Sequence, residues 1–427
     1  MRSFTARACL GLLAAGALAG GLLAAGPAGA TSTATAPHWR VSVITPPANP
    51  ASAVTAVACP TSTWCTAAGW DGSQAPEIGN SANFALTESR GRWSRPATFA
   101  LPPNADPGQQ GNVNGIACTA KGSCVAVGDY VASGTGTDPG FIAIEQHGIW
   151  QTPFRPRLPR NAAAQTDSVL YAVTCTGPGY CEAVGSYYRK NGQSAPMSVT
   201  ESAGRWRRGT GIEFPRHTTP GPINSLASIA CTRAGSCVAV GRYSTTDGDS
   251  YAAASVRQVR GRWLRAASLK LPAGAGPVSQ LNSVSCQPSG QCVAVGTWDS
   301  RDGLIHSMMA TLTHGRWSKT RLLRRVPRGA PAGTLVALSA VSCARKSCLA
   351  AGAYTLKNGK RDWIVIRIRA GAWASATKIG VPAGNPGTLE LPPAVDAASC
   401  SRSGACAIVG SFQNESGDSQ ARAAISG

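Results

Sequence analysis

The sequence predicts an all-β fold: a seven-bladed β-propeller of four-stranded blades, with one disulfide hairpin in each blade and the ring closed by its N-terminal strand. Three observations predict it. A cysteine pair recurs seven times at near-constant spacing, each pair sits between two short apolar runs, and the strand missing from the last repeat stands at the other end of the chain.

The expected disulfides join Cys59 to Cys65, Cys118 to Cys124, Cys175 to Cys181, Cys231 to Cys237, Cys286 to Cys292, Cys343 to Cys348 and Cys400 to Cys406. Successive first cysteines are 59, 57, 56, 55, 57 and 57 residues apart. Self-similarity at such a period marks a repeat architecture. An apolar residue stands two before each first cysteine, a Gly-, Pro- or Ser-bearing loop follows, and a run such as Val125-Ala126-Val127-Gly128 follows the second cysteine. Two such runs around a short loop read as a β-hairpin. In a secreted chain, cysteines on both sides of the loop read as a cross-strand disulfide, since six of the seven spacings are wider than zinc sites favour and the compartment is oxidising. Closing so short a loop stabilises by about 2 kcal/mol in the chain-entropy model.

Each repeat then runs through a polar loop into a third strand, a tight turn ending Gly-x-Trp (Trp93, Trp150, Trp206, Trp263, Trp317 and Trp373), and a fourth strand that stops at an apolar-Pro step such as Leu101-Pro102. Four short strands with turns between them make one propeller blade. The last repeat stops before any such Trp, and the segment His38 to Pro47, which carries Trp39, supplies the missing strand.

The N-terminus reads as a secretory signal over residues 1–30: Arg2 and Arg7, then only apolar residues and glycine from Cys9 to Gly26, then Ala28-Gly29-Ala30 as a cleavage site. The alternative is an uncleaved N-terminal anchor at the membrane. Residues 31–427 are expected to form a single propeller, secreted and monomeric.

Formal charge is +20, or +18 once Arg2 and Arg7 are removed, and charged residues are only 14%. A basic field favours anionic partners. For an exported chain these are an anionic cell-envelope polymer, a polysaccharide or another exported protein; no specific nucleic acid is expected.

At Gly-x-Trp the repeat resembles a degenerate form of the Asp-box (BNR, sialidase-like) propellers, whose signature is Ser-x-Asp-x-Gly-x-Thr-Trp. This chain reads Ser89-Arg90-Gly91-Arg92-Trp93 or Ser202-Ala203-Gly204-Arg205-Trp206, keeping Gly and Trp without the Asp. The overall style resembles exported propellers of high-GC Gram-positive bacteria. The resemblance implies the fold and leaves function open, because such propellers include sialidases, endoglucanases and receptors.

No histidine cluster, nucleophile elbow, phosphate loop or free thiol is visible, and no catalytic residue is assigned. The loops from second to third strand are acidic: Asp71 and Glu77, Asp129 and Asp138, Asp247 and Asp249, Asp299 and Asp302, Glu415 and Asp418. Asp in such loops is ordinary turn chemistry, an oxygen donor for Ca²⁺, or one of the paired carboxylates of a glycosidase. No other cofactor is expected. An aromatic stands just beyond the Gly that ends each second strand: Trp70, Tyr130, Tyr187, Tyr243, Trp298, Tyr354 and Phe412. This ring either packs between blades or offers a ligand face, together with Asp247, Asp249, Asp299 and Asp302. The function expected is a non-enzymatic binding or scaffold propeller; the alternative is a glycoside hydrolase or polysaccharide lyase acting at the central well.

Overall fold

The computed structural model describes residues 39–44, 52–71, 82–106, 111–215, 224–245, 250–271, 274–301, 303–323, 336–355, 361–380, 394–413 and 419–426. The expected signal at residues 1–30 lies outside them. Seven sheets follow one another around a ring, all antiparallel and each beginning with a disulfide hairpin. In the second blade the first strand is Gly111–Ala120, the second Ser123–Tyr130 and the third Gly140–Gln146.

All seven cystine pairs expected from the spacing are joined across their hairpins. Cys59 bonds Cys65, Cys118 bonds Cys124, Cys175 bonds Cys181 and Cys231 bonds Cys237. Cys286 bonds Cys292, Cys343 bonds Cys348 and Cys400 bonds Cys406. The second cysteines are the deeper partners. Cys65, Cys124, Cys181, Cys237, Cys292, Cys348 and Cys406 are all buried. Each opens a second strand, the element that lies inside its sheet with a neighbour on either side.

Seven wedges of buried side chains lie between the blades and form the core. Trp64, Phe99, Val113, Tyr130 and Phe141 fill the wedge between the first and second blades. Ile364, Ile366, Leu338 and Tyr354 fill that between the fifth and sixth.

Closure follows the topology read from the sequence. Trp39–Ile44 pairs antiparallel with Ser419–Ser426, in register from Trp39↔Ser426 to Ile44↔Ala421. Ile44 is buried in the wedge between the last and first blades. A second tie crosses the same seam, where the Cys59 amide donates to Ser399 Oγ at 2.9 Å.

The fourth strand differs from the continuous element expected. Only Ala372–Ile379 and the N-terminal strand run unbroken. In the first blade Arg92–Trp93 and Ala97–Phe99 are separate pieces pairing with the same third strand. Pro96 and Pro153 have no N–H to give the ladder. In the third and fourth blades the amides turn to the preceding blade instead, Gly209 N to Arg157 O and Ala266 N to Glu213 O.

In the first blade the Gly-x-Trp turn is braced by a carboxylate from the strand before it. Glu88 pairs with Trp93 next to the end of the first blade's third strand, and its Oε1 accepts from the Gly91 amide. Glu145, Glu201 and Gln258 hold the same place in the next three blades, each paired with the Trp of its turn. Arg90 and Gly91 both have positive φ, 54° and 85°, the left-handed pair of a two-residue hairpin turn.

A further device recurs in every blade. The first strand carries one bulged residue opposite the glycine that ends the apolar run of the second strand. The bulged residues are Thr55, Asn114, Tyr171, Ala227, Asn282, Ser339 and Asp396. A Cβ on the facing glycines would come within 1.7–2.1 Å of a first-strand carbonyl oxygen.

Two outcomes are expected. Gly128→Ala, whose Cβ would meet the Asn112 carbonyl at 1.7 Å, should lower unfolding free energy by at least ~3 kcal/mol in denaturant titration. Gly177→Ala, with open space around it, should change it by less than ~0.5 kcal/mol. Deleting residues 31–47 should cost about 3–5 kcal/mol, from lost burial of Ile44 and the edge ladder; an unchanged melting midpoint would contradict closure by this strand.

Candidate functional site at the channel mouth

The bulges aim their side chains into a central channel of about 410 Å³. Four of them tie one blade to the next by donating to the carbonyl that precedes the next bulge. Thr55 Oγ1 donates to Val113 O and Ser339 Oγ to Val395 O. Asn114 Nδ2 reaches Leu170 O at 3.2 Å and Asn282 Nδ2 reaches Leu338 O at 2.9 Å. This belt satisfies carbonyls that the bulge takes out of the ladder.

Asp396 is the one carboxylate among the seven bulges. Its side chain opens to the channel, yet protein walls it in, and this partial desolvation pushes its pKa up to about 7.

One level above, toward the loops from second to third strand, the register defines seven equivalent positions: Trp70, Asp129, Ser186, Arg242, Thr297, Ala353 and Ser411. Small residues fill four of them, Ser186, Thr297, Ala353 and Ser411. The other three, Trp70, Asp129 and Arg242, lie on the first, second and fourth blades and carry an indole, a carboxylate and a guanidinium.

Asp129 accepts from Asn112 Nδ2 at 2.9 Å and from Asn114 Nδ2 at 2.8 Å, so both its oxygens are held. Burial pushes its carboxyl above the ordinary range, the two amides pull it back, and nearby Asp138 adds to the rise. Arg242 donates to Gln280 Oε1 at 2.8 Å, and its guanidinium stands 4.8 Å over the Tyr251 ring. Neither partner is charged, so the cation is oriented without being neutralised. Tyr171 rises from the bulge ring toward both: its phenol is raised by burial, hydrogen-bonds Ser186, and lies within electrostatic range of Asp129 and Arg242.

The aromatic ring expected from the sequence divides. Tyr130, Tyr187, Tyr243, Trp298 and Tyr354 are buried in the inter-blade wedges. Tyr130 and Tyr187 donate to Asn104 and Asn161 at 2.7 Å, and Tyr243 bonds Ser268. These five fill space between blades, the packing alternative of the two readings, and present no face to a ligand. Trp70 is different. It pairs with Ala53, where the aligned aromatics pair one residue further on (Gly111↔Tyr130, Ser168↔Tyr187), so it belongs to the mouth positions and is only half-buried.

Asp299 is half-buried in the strand Cys292–Ser300, outside the mouth cluster. Asp247, Asp249, Asp302 and the Phe412 side chain lie outside the described residues. Among the described residues, no three His, Cys, Asp or Glu side chains come together as a metal site, and no helix is long and apolar enough to cross a membrane.

No protein-family model matches the chain, and no curated protein matches it. Solved structures do. An ulvan lyase of the polysaccharide lyase family PL25 superposes with TM-score 0.51 and 7% identity, over 90% of this chain and 95% of its own. A protein of unknown function from Dyadobacter fermentans gives TM-score 0.46 and 13% identity over 91% and 98%. A Hadza microbial sialidase gives 0.46 and 11% over 82% and 74%. The likeness is one of fold.

One outcome is expected from the channel. The folded-state pKa of Asp396 is raised, so the native state holds a proton that the unfolded chain has released, and stability falls as pH rises from about 4 through about 7. Asp396→Asn removes this loss. Melting midpoints at pH 4.5 and 7.5 should show the variant gaining on the parent at the higher pH.

Proposed function

We propose that the protein is an exported binding propeller that takes an anionic saccharide at the channel mouth across its first four blades. The observation that carries this reading is the break in the repeat: Trp70, Asp129 and Arg242 at equivalent positions on the first, second and fourth blades, against the small residues Ser186, Thr297, Ala353 and Ser411 at the others. A half-exposed indole offers a sugar its apolar face. The Asp129 carboxylate, fixed by two amides, accepts from hydroxyls. Arg242, oriented by Gln280 and Tyr251, takes a carboxylate or sulfate.

The surrounding charge supports the same polarity. Among the described residues two ion pairs are present, Arg265–Glu213 and Lys378–Asp362, so most of the cationic side chains are not neutralised and draw anionic polymers from a distance.

A second reading rests on Tyr171. A phenol set between a carboxylate and an arginine is chemistry that proton transfer at a uronate could use, which keeps a lyase or hydrolase in view.

Affinity chromatography and calorimetry with uronate-bearing, sulfated and neutral polysaccharides test the proposal. Retention of the acidic polymers and not the neutral ones is expected, weakening as salt rises. Trp70→Ala and Arg242→Ala should each lower affinity at least tenfold, about 1.4 kcal/mol. Retention indifferent to both substitutions would overturn the mouth as the site. Release of unsaturated or reducing ends would replace binding with catalysis.

A further inference from the structure

The opposite face carries a second break in the repeat. The residue after the second cysteine of each pair faces an inter-blade wedge, and reads Thr66, Val125, Glu182, Val238, Val293, Leu349 and Ala407. Six are apolar or neutral; Glu182 is a carboxylate only 4% exposed. A buried carboxylate is costly unless paired with a cation, and no ion pair involving Glu182 occurs among the described residues. Its hydrogen-bond support is neutral: the Thr200 hydroxyl donates at 3.0 Å, and the Ser198, Gln258 and Trp263 side chains stand close enough to help hold the charge.

Glu182 lines a cleft of about 220 Å³ between the third and fourth blades, on the disulfide face. Two further acceptors line it, among the hydroxyls of Thr174, Thr176, Thr200 and Ser202. Glu201 is buried beside it. Gln258 is 5% exposed, lines the cleft, and its Oε1 has no hydrogen-bond partner. Tyr180, 45% exposed, stands among the lining residues as an open aromatic ring. Burial raises both Glu182 and Glu201 above the ordinary carboxylate range, and no cationic side chain offsets either.

Orphaned and desolvated acceptors with an aromatic lip call for donors that bring positive charge. We propose that this cleft is a binding site for an organic cation bearing a primary ammonium group, distinct from the saccharide mouth. The ammonium gives three donors, matching Glu182, the Gln258 carbonyl and Glu201, and its alkyl stem lies against Tyr180. The cleft is smaller than the roughly 300–1,000 Å³ usual for drug-sized ligands, so it suits a group the size of a lysine side chain. The surface around it is basic, so affinity comes from contacts inside the cleft and not from long-range attraction.

The test is calorimetric titration of the full chain with n-butylammonium and with n-butanol, its neutral isostere. Saturable binding of the amine, at least tenfold tighter than the alcohol, is expected. Glu182→Gln should reduce amine affinity at least tenfold without lowering the melting midpoint. Tyr180→Ala, at an exposed position, should weaken the amine severalfold while leaving the fold intact. Equal binding of amine and alcohol, no saturable binding, or unchanged affinity in Glu182→Gln would overturn the proposal. Should Glu182→Gln fail to fold, Tyr180→Ala and Gln258→Leu decide it: unchanged affinity in both overturns it.

Discussion

Seven times around the ring a first-strand carbonyl presses on a second-strand glycine, and the rest of the molecule depends on that contact. The bulge that brings the carbonyl in also rotates one side chain out of the ladder and into the channel. Without the glycine the strands could not approach, the bulge would be squeezed out, and every residue beyond it would change face. One steric constraint therefore sets the blade twist, lines the channel and fixes the level of the mouth. Thr55, Asn114, Asn282 and Ser339 then turn the same bulge into an inter-blade tie.

Regularity and function pull in opposite directions on this frame. Positions that build the ring repeat: the cystines, the glycines, the left-handed turn and the buried aromatics. Positions that differ include the Trp70–Arg242 arc on one face of blades one to four, Glu182 on the other face, and Asp396 in the channel wall of the last blade. A ring of near-equal blades tolerates such substitutions because each wedge is stabilised mainly by its own two sheets, so a costly buried carboxylate is confined to one interface.

Much of this is legible in the sequence, because Cys, Gly and Trp report backbone geometry directly. Blade number, the cystine pairing from Cys59 with Cys65 to Cys400 with Cys406, and closure by the Trp39 strand all follow from them. The bulge is not legible: its seven occupants, from Ala227 to Tyr171, share no residue type, and only the facing glycine hints at it. Trp70 falls among the wedge aromatics in the sequence for the same reason, since one residue of offset beyond the glycine moves a side chain from wedge to mouth. The acidic loops stand out by composition; Asp129, read among them, sits in the strand Ser123–Tyr130, and the other carboxylates with unusual surroundings, Glu182 and Asp396, are strand residues that composition does not mark. The broken fourth strand is hidden too, because the amides that leave the ladder at Gly209 and Ala266 do so for partners in another blade.

The tie between Trp39 and Ser426 also orders events in time. In a chain made from its N-terminus, the strand that emerges first belongs to the blade completed last, and nearly the whole polypeptide separates the two partners. Six blades can be built from neighbouring segments at modest loop-closure cost, but the seventh waits for the far end of the chain. Until then an edge of the last sheet stays open and able to pair with a strand from another molecule. The cystine hairpins, each closing a loop of only a few residues, can form within a blade without waiting for that end.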